Sequence, residues 1–223
     1  MDPLVPGSPR SGGSLRTQML RLAGQTEDLL AWAVRAFVEQ DLSLAARACA
    51  QAGDAAATAA RLDRSCVAVS TRRLPSTPVE DGLTRLLRVG PRLERVCVLA
   101  GSICSRVLRT GSDRAATPDV ELGDLANAIS NHFTDAVDAF VRADPQGALA
   151  VLRSGRALAA QCHTLLAARI EEAPLGDPAG VRHLVMVIRD LDHVLAHADA
   201  IAEDVLRTIR TADIARMSQA HAG

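Results

Sequence analysis

Ala33-Val34-Arg35-Ala36-Phe37-Val38-Glu39-Gln40-Asp41 returns as Ala136-Val137-Asp138-Ala139-Phe140-Val141-Arg142-Ala143-Asp144. Further along, Leu93-Glu94-Arg95-Val96 returns as Leu191-Asp192-His193-Val194, after a slightly shorter interval. Two landmarks repeated in the same order mark a duplicated unit of roughly a hundred residues. A doubled unit builds a pseudo-symmetric scaffold. Any site inherited from the ancestor has to occur twice, so each copy serves as a control for the other.

Each copy reads as three helices. In the first, helix one covers Leu15–Glu39, Asp41 opens helix two as its N-cap, and helix two runs to Arg72. Leu74-Pro75-Ser76-Thr77-Pro78 breaks it, and helix three follows from Glu80 to Arg109. The second copy repeats the plan over Val120–Arg142, Pro145–Glu172 and Ala179–Thr211, with its break at Pro174-Leu175-Gly176-Asp177-Pro178. Sustained period-two alternation is missing, which argues against strands. The resulting division is a disordered tail over 1–13, a three-helix repeat over 14–110, a linker over 111–119, a second three-helix repeat over 120–212 and a tail over 213–223.

Helix three of each copy carries an apolar seam whose spacing alternates four and three, the a/d pattern of left-handed helix packing. The first seam is Leu86, Gly90, Leu93, Cys97, Ala100, Cys104 and Val107; the second is Leu184, Ile188, Leu191, Leu195, Ala198, Ala202 and Val205. One constant offset maps the first set onto the second. The reading is an all-α protein: two tandem three-helix bundles, six long helices related by a pseudo-two-fold internal repeat, with the degree of merging left open.

Composition bounds the function. The chain has 223 residues, 48% hydrophobic but only 2% aromatic, so Leu, Val, Ile and Ala must fill the core. Net charge is −1 and every basic residue is Arg, interspersed with acids. No broad basic surface faces a phosphate backbone, which argues against nucleic-acid binding. Cys49, Cys66, Cys97, Cys104 and Cys162 show no CxxC spacing, and the Pro/Gly/Ser-rich start has no apolar core of a signal peptide. Reduced thiols packed as small hydrophobes, in a cytoplasmic protein, are the expectation. No run of about 18 apolar residues is free of charge, so no membrane-spanning helix is expected.

Around the third helices the chain resembles the phosphate-uptake regulator (PhoU) family, whose signature is close to Leu-Glu-Arg-Ile-Gly-Asp-His-Ala-x-x-Ile-Ala-Glu-x-Val. The second copy reads Leu191-Asp192-His193-Val194-Leu195-Ala196-His197-Ala198-Asp199-Ala200-Ile201-Ala202-Glu203-Asp204-Val205, and the first Leu93-Glu94-Arg95-Val96-Cys97-Val98-Leu99-Ala100-Gly101-Ser102-Ile103-Cys104-Ser105-Arg106-Val107. Arg72-Arg73-Leu74-Pro75 resembles the family's exit from helix two. The resemblance implies tandem three-helix bundles and a non-enzymatic cytosolic adaptor. That adaptor would be a negative regulator of phosphate uptake contacting a phosphate ABC transporter and a sensor histidine kinase, peripheral to the membrane only through those partners. Arg72, Arg73, Glu94, Arg95, Asp192 and His193 are the candidate partner-contact residues.

The family's Glu-x-x-x-Asp element sets two carboxylates on one helical face as hard oxygen ligands for a cation. Here Glu94 is followed at the fourth step by Val98, and Asp192 by Ala196. Glu94, Asp192 and His197 are what remains of that ligand set, and the expectation is that no metal or other cofactor is retained. Asp190, His193 and His197 have spacing for a transition metal, but Arg92 and Arg95 hold the first two places in the first copy, so a polar helix face is preferred. Ser, His and Asp show no catalytic order along the chain. Two alternatives stay open: a metal-dependent enzyme or metal-binding helical bundle, and an adaptor of this type repurposed for another transporter or signalling partner. A homodimer is expected, because paired bundles leave apolar edges and two-fold dimers are the commonest solution.

Overall fold

The computed structural model describes residues 9–70, 78–110, 120–172 and 178–220. They form six helices and no strand: α1 (Pro9–Glu39), α2 (Leu42–Ser70), α3 (Pro78–Thr110), α4 (Val120–Arg142), α5 (Pro145–Glu172) and α6 (Pro178–Ala220). α1, α3, α5 and α6 begin on a proline, whose fixed φ suits a first turn and whose missing N–H costs nothing there. That preference corrects the N-terminal boundary: α1 starts at Pro9, inside the segment read as a tail over 1–13. α6 likewise runs to Ala220, past the boundary at 212, through the helix-forming Ile214-Ala215-Arg216-Met217.

The duplication is visible in the backbone. α1 and α4 both end on a non-glycine residue in the left-handed region, Gln40 at φ 51° and Ala143 at φ 52°. At both ends the next aspartate's N–H reaches back five residues, from Asp41 to the Ala36 carbonyl at 3.0 Å and from Asp144 to the Ala139 carbonyl at 2.9 Å. This is a Schellman-type closure. Each aspartate then caps the following helix: Asp41 Oδ1 accepts from the Leu44 N–H and Asp144 Oδ1 from the Gln146 N–H, both at 2.9 Å. The expected cap at Asp41 is thus present, and the sharp turn is made in the same way twice.

Among the described residues α2 packs on α1 and α3, and α5 on α4 and α6, so each half is a three-helix bundle. The halves merge where α1 meets α4 and α3 meets α6. One continuous core results, centred on buried Met19, Leu22, Leu30, Leu93 and Ile103 from the first half and Leu122, Ile129, Phe133, Ile188 and Leu191 from the second. Most of both predicted seams lies inside it: Leu93, Cys97, Ala100 and Cys104 are 0% exposed and Leu191, Leu195, Ala198 and Ala202 are buried, while Leu86 and Leu184 are half-buried against its edge. Burying one such leucine contributes about 1.5–3 kcal/mol. Alanines line the contact faces of the outer helices (Ala45, Ala48 and Ala59 on α2, Ala148 on α5), so the backbones approach closely.

That closeness puts glycine where α2 crosses α3 and where α5 crosses α6. A Cβ on Gly101 would sit 2.9 Å from the Ala52 Cβ, and one on Gly155 would strike the Asp199 carboxylate. Gly101 and Asp199 are matching repeat positions, as are Ala52 and Gly155. Each crossing therefore has one glycine, on opposite partners.

Candidate functional site

The third helices carry the signature residues, and the fold presses them together as α3 against α6. Ion pairs span that seam among the described residues, and two of them are matched by the repeat. Arg92 Nη2 and Nε donate to Asp204 Oδ2 at 2.9 and 3.2 Å, and Arg106 Nε donates to Asp190 Oδ2 at 3.1 Å. Asp204 is 1% exposed; its Oδ1 accepts no hydrogen bond and has only the Arg88 guanidinium, 3.7 Å away. Arg92 matches Asp190 in the repeat, and Arg106 matches Asp204. The two pairs are thus related by the pseudo-two-fold axis, with both cations in the first copy and both anions in the second. An isologous contact brings residue i to j and j to i; identical copies would have set like charges against each other here.

The remaining signature residues lie around this ridge. Arg95 and His193 are exposed, while Glu94, Asp192 and His197 are half-buried. Burial, then the nearby Arg92, Arg95 and His193, holds the His197 imidazole below its ordinary pKa. Asp192 faces α5 closely enough to help raise the Cys162 thiol, which burial chiefly lifts to about 11. Glu94 adds a smaller upward push to Cys97, again behind burial. The two acids therefore serve different halves. Arg72 and Arg73 lie outside the described residues.

These residues do not fit the metal that the family resemblance implies. The fourth-step positions are the exposed Val98 and Ala196, Asp190 is committed to Arg106, and two guanidinium charges bear on His197. Among the described residues no three His, Cys, Asp or Glu side chains converge as a metal-binding group.

Ser, His and Asp show no catalytic order along the chain, but the fold brings one of each together. His132 on α4, 3% exposed, lies 3.1 Å through Nδ1 from Ser154 Oγ on α5 and 2.8 Å through Nε2 from Asp199 Oδ1 on α6. The Asp199 carboxylate accepts from the Nε2–H, while the roles of Nδ1 and the Ser154 hydroxyl follow the ring tautomer. That hydroxyl also reaches the Val151 and Ala150 carbonyls of its own helix, at 3.0 and 3.2 Å. Acyl transfer would further need N–H donors aimed at a developing oxyanion. Ser154 and Gly155 sit within α5, where backbone N–H groups are taken by the helical ladder. The trio ties three helices together, and nothing in its geometry activates an electrophile. The long sequence separation, 67 residues from His132 to Asp199, hid it.

The thiols behave as packing groups. All five are free; Cys66, Cys97, Cys104 and Cys162 are buried, and Cys49 is half-buried against Ser105 at 3.4 Å. Burial pushes the Cys104 thiol up to about 12. Thr26 donates its hydroxyl to the Leu22 carbonyl at 2.8 Å, so the Cys97 S–H, 3.4 Å from it, is the donor in their contact. Among the described residues no helix is long and apolar enough to cross a membrane.

No family model matches the chain. Over 207 residues it is 25% identical to the phosphate-specific transport system accessory protein PhoU homolog of Pseudomonas putida, covering 91% of this chain and 80% of that protein. Its fold is similar to the crystal structure of PhoU from Pseudomonas aeruginosa, with TM-score 0.83 and 23% identity over 91% of this chain and 98% of that one. It is also similar to the phosphate transport system regulatory protein PhoU of Streptococcus pneumoniae, with TM-score 0.79 and 14% identity over 88% of this chain and 94% of that one.

Proposed function

On the premise that this chain is similar to PhoU proteins in sequence and in fold, we propose that it is an accessory regulator of phosphate transport. It works in the cytoplasm without catalysis. By contacts between helix faces it links a phosphate ABC transporter to a sensor histidine kinase and keeps the phosphate-starvation response off while phosphate is plentiful. The reading rests on a similarity that spans 91% of the chain and includes both copies of the repeat. Bundles of amphipathic helices recognise proteins through such faces, and the ridge bearing Glu94, Arg95, Asp192 and His193 is the contact surface, with Arg72 and Arg73 preceding it in sequence. Deleting the gene should derepress phosphate-scavenging genes in phosphate-rich medium; unchanged expression would overturn the reading.

One observation favours a second reading, an adaptor of the same build repurposed for a different transporter or signalling partner. Both fourth-step carboxylates are gone, replaced by Val98 and Ala196. Elemental analysis of protein purified without added metal separates a metal-free adaptor from a metal-binding bundle. Sedimentation velocity tests the proposed homodimer, for which the exposed Val67, Val98 and Ile170 are available apolar surface.

A further inference from the structure

Between α1 and α2, in the first half, lies a groove of about 320 Å³. Its walls carry two carboxylates, Asp28 from α1 and Asp54 from α2, together with the carboxamides of Gln25 and Gln51, and no basic side chain lines it. Both aspartates are exposed, and among the described residues neither side chain has an ion-pair or hydrogen-bond partner. Trp32, the one tryptophan of the chain, also lines the groove while the rest of its surface packs against the core. An indole held in place beside two unneutralised carboxylates is complementary to a planar cation. A guanidinium can stack on the ring and still donate to carboxylates, which a compact ammonium does less well. The volume sits at the small end for ligand pockets, enough for a side chain and its neighbours but not for a large cofactor.

The second copy is the control. Its residues matching Asp28, Trp32 and Asp54 are Asn131, Asp135 and Ala157, so the indole and both of these carboxylates have no equivalent there. The matching crossing is tied instead by His132 to Ser154. The groove's chemistry is therefore peculiar to the first half and does not come with the three-helix scaffold.

We infer that the α1–α2 groove is a docking site for an arginine side chain presented by a partner protein on an exposed basic segment. The inference rests on the docking reading above for the nature of the occupant, but it concerns a different face from the α3–α6 ridge. Because Trp32 is the sole tryptophan, its fluorescence reports on this groove alone. Titrating the purified full chain with an acetylated tetra-arginine peptide should shift the emission saturably. Tetra-lysine should bind about tenfold more weakly. Asp28→Asn with Asp54→Asn, both at exposed positions, should abolish the shift without changing the melting temperature. For Trp32→Leu, isothermal calorimetry should show the heat of tetra-arginine binding reduced. No saturable response to tetra-arginine would overturn the inference. So would equal binding of spermidine, which would mean an unselective trap for polycations, or an emission that changes with protein dilution without peptide, which would mean a second copy fills the groove. The phosphate phenotype is read in cells and the peptide binding on purified protein, so either can fail while the other stands.

Discussion

At the crossing of α1 with α2 the inward position is Leu29, beside an open groove; at the crossing of α4 with α5 the same position is His132, tied to Ser154 and Asp199. Along the third helices the first copy has Arg92, Arg106 and Gly101 where the second has Asp190, Asp204 and Asp199. The seam residues of the two third helices correspond position by position, while the charged residues that pair across them have opposite signs in the two copies. Packing tolerates little change in a shared core, whereas polar positions can diverge when their partners diverge with them. Copying thus conserved the scaffold, and divergence made the halves fit each other.

The largest effect should come from removing a cation that faces a buried anion. Arg92→Ala strands Asp204 with only the more distant Arg88, and should cost about 3 kcal/mol in denaturant unfolding. Arg106→Ala should cost less, because Asp190 is 13% exposed and water can reach it. Replacing Arg92 and Asp204 together by leucine should recover most of the loss; failure to recover would mean the pair does more than neutralise charge.

Next is the traded glycine. Gly101→Ala pushes a Cβ to within 2.9 Å of Ala52 on a fixed backbone, and should cost about 1–3 kcal/mol. Adding Ala52→Gly moves the glycine to the outer helix, as the second half has it at Gly155, and should restore the melting temperature. If the double variant is no better than the single, the two crossings are not equivalent.

A smaller difference is acid sensitivity. His197 stands where the first copy has Leu99. Burial and the arginines depress its pKa in the fold, so the unfolded chain binds its proton more readily. Stability from this group is full above the ordinary value of 6.5 and falls as pH drops through it toward the depressed one. His197→Leu should flatten the decline in melting temperature between about pH 7 and about pH 5.

Smallest is the paired turn. Ala143→Gly relieves a left-handed alanine and should stabilise by about 0.5–1 kcal/mol. Gln40→Gly should gain less, because Gln40 Nε2 donates to the Phe37 carbonyl at 2.6 Å and the substitution removes that bond.

The helices, their order and both seams were legible in sequence because they rest on local periodicity and on a repeat that copied the apolar residues. Pro9 reads in sequence as part of a Pro/Gly/Ser-rich tail and is the first residue of α1, since a proline's composition signal for a loop also fits a first helical turn. The long-range polar contacts were not legible by spacing, since Arg92 and Asp204 are 112 residues apart and Arg106 and Asp190 84. A signal was nevertheless present. The seams align with a constant offset, and both arginines fall opposite aspartates in that alignment. Opposite signs at matching positions of a duplicated, two-fold contact indicate pairing across the axis. His132 gave no comparable signal, because its counterpart Leu29 is apolar and only the three-dimensional crossing brings Ser154 and Asp199 to its ring.

The swapped ion pairs also bear on the history of the gene. Cut at the connection between the copies, the first product could meet its twin through α3 only by setting Arg92 against Arg106, and the second could meet its twin through α6 only by setting Asp190 against Asp204. Neither fragment could rebuild the symmetric pair from which such a contact descends. These four charged side chains make the fusion a one-way step.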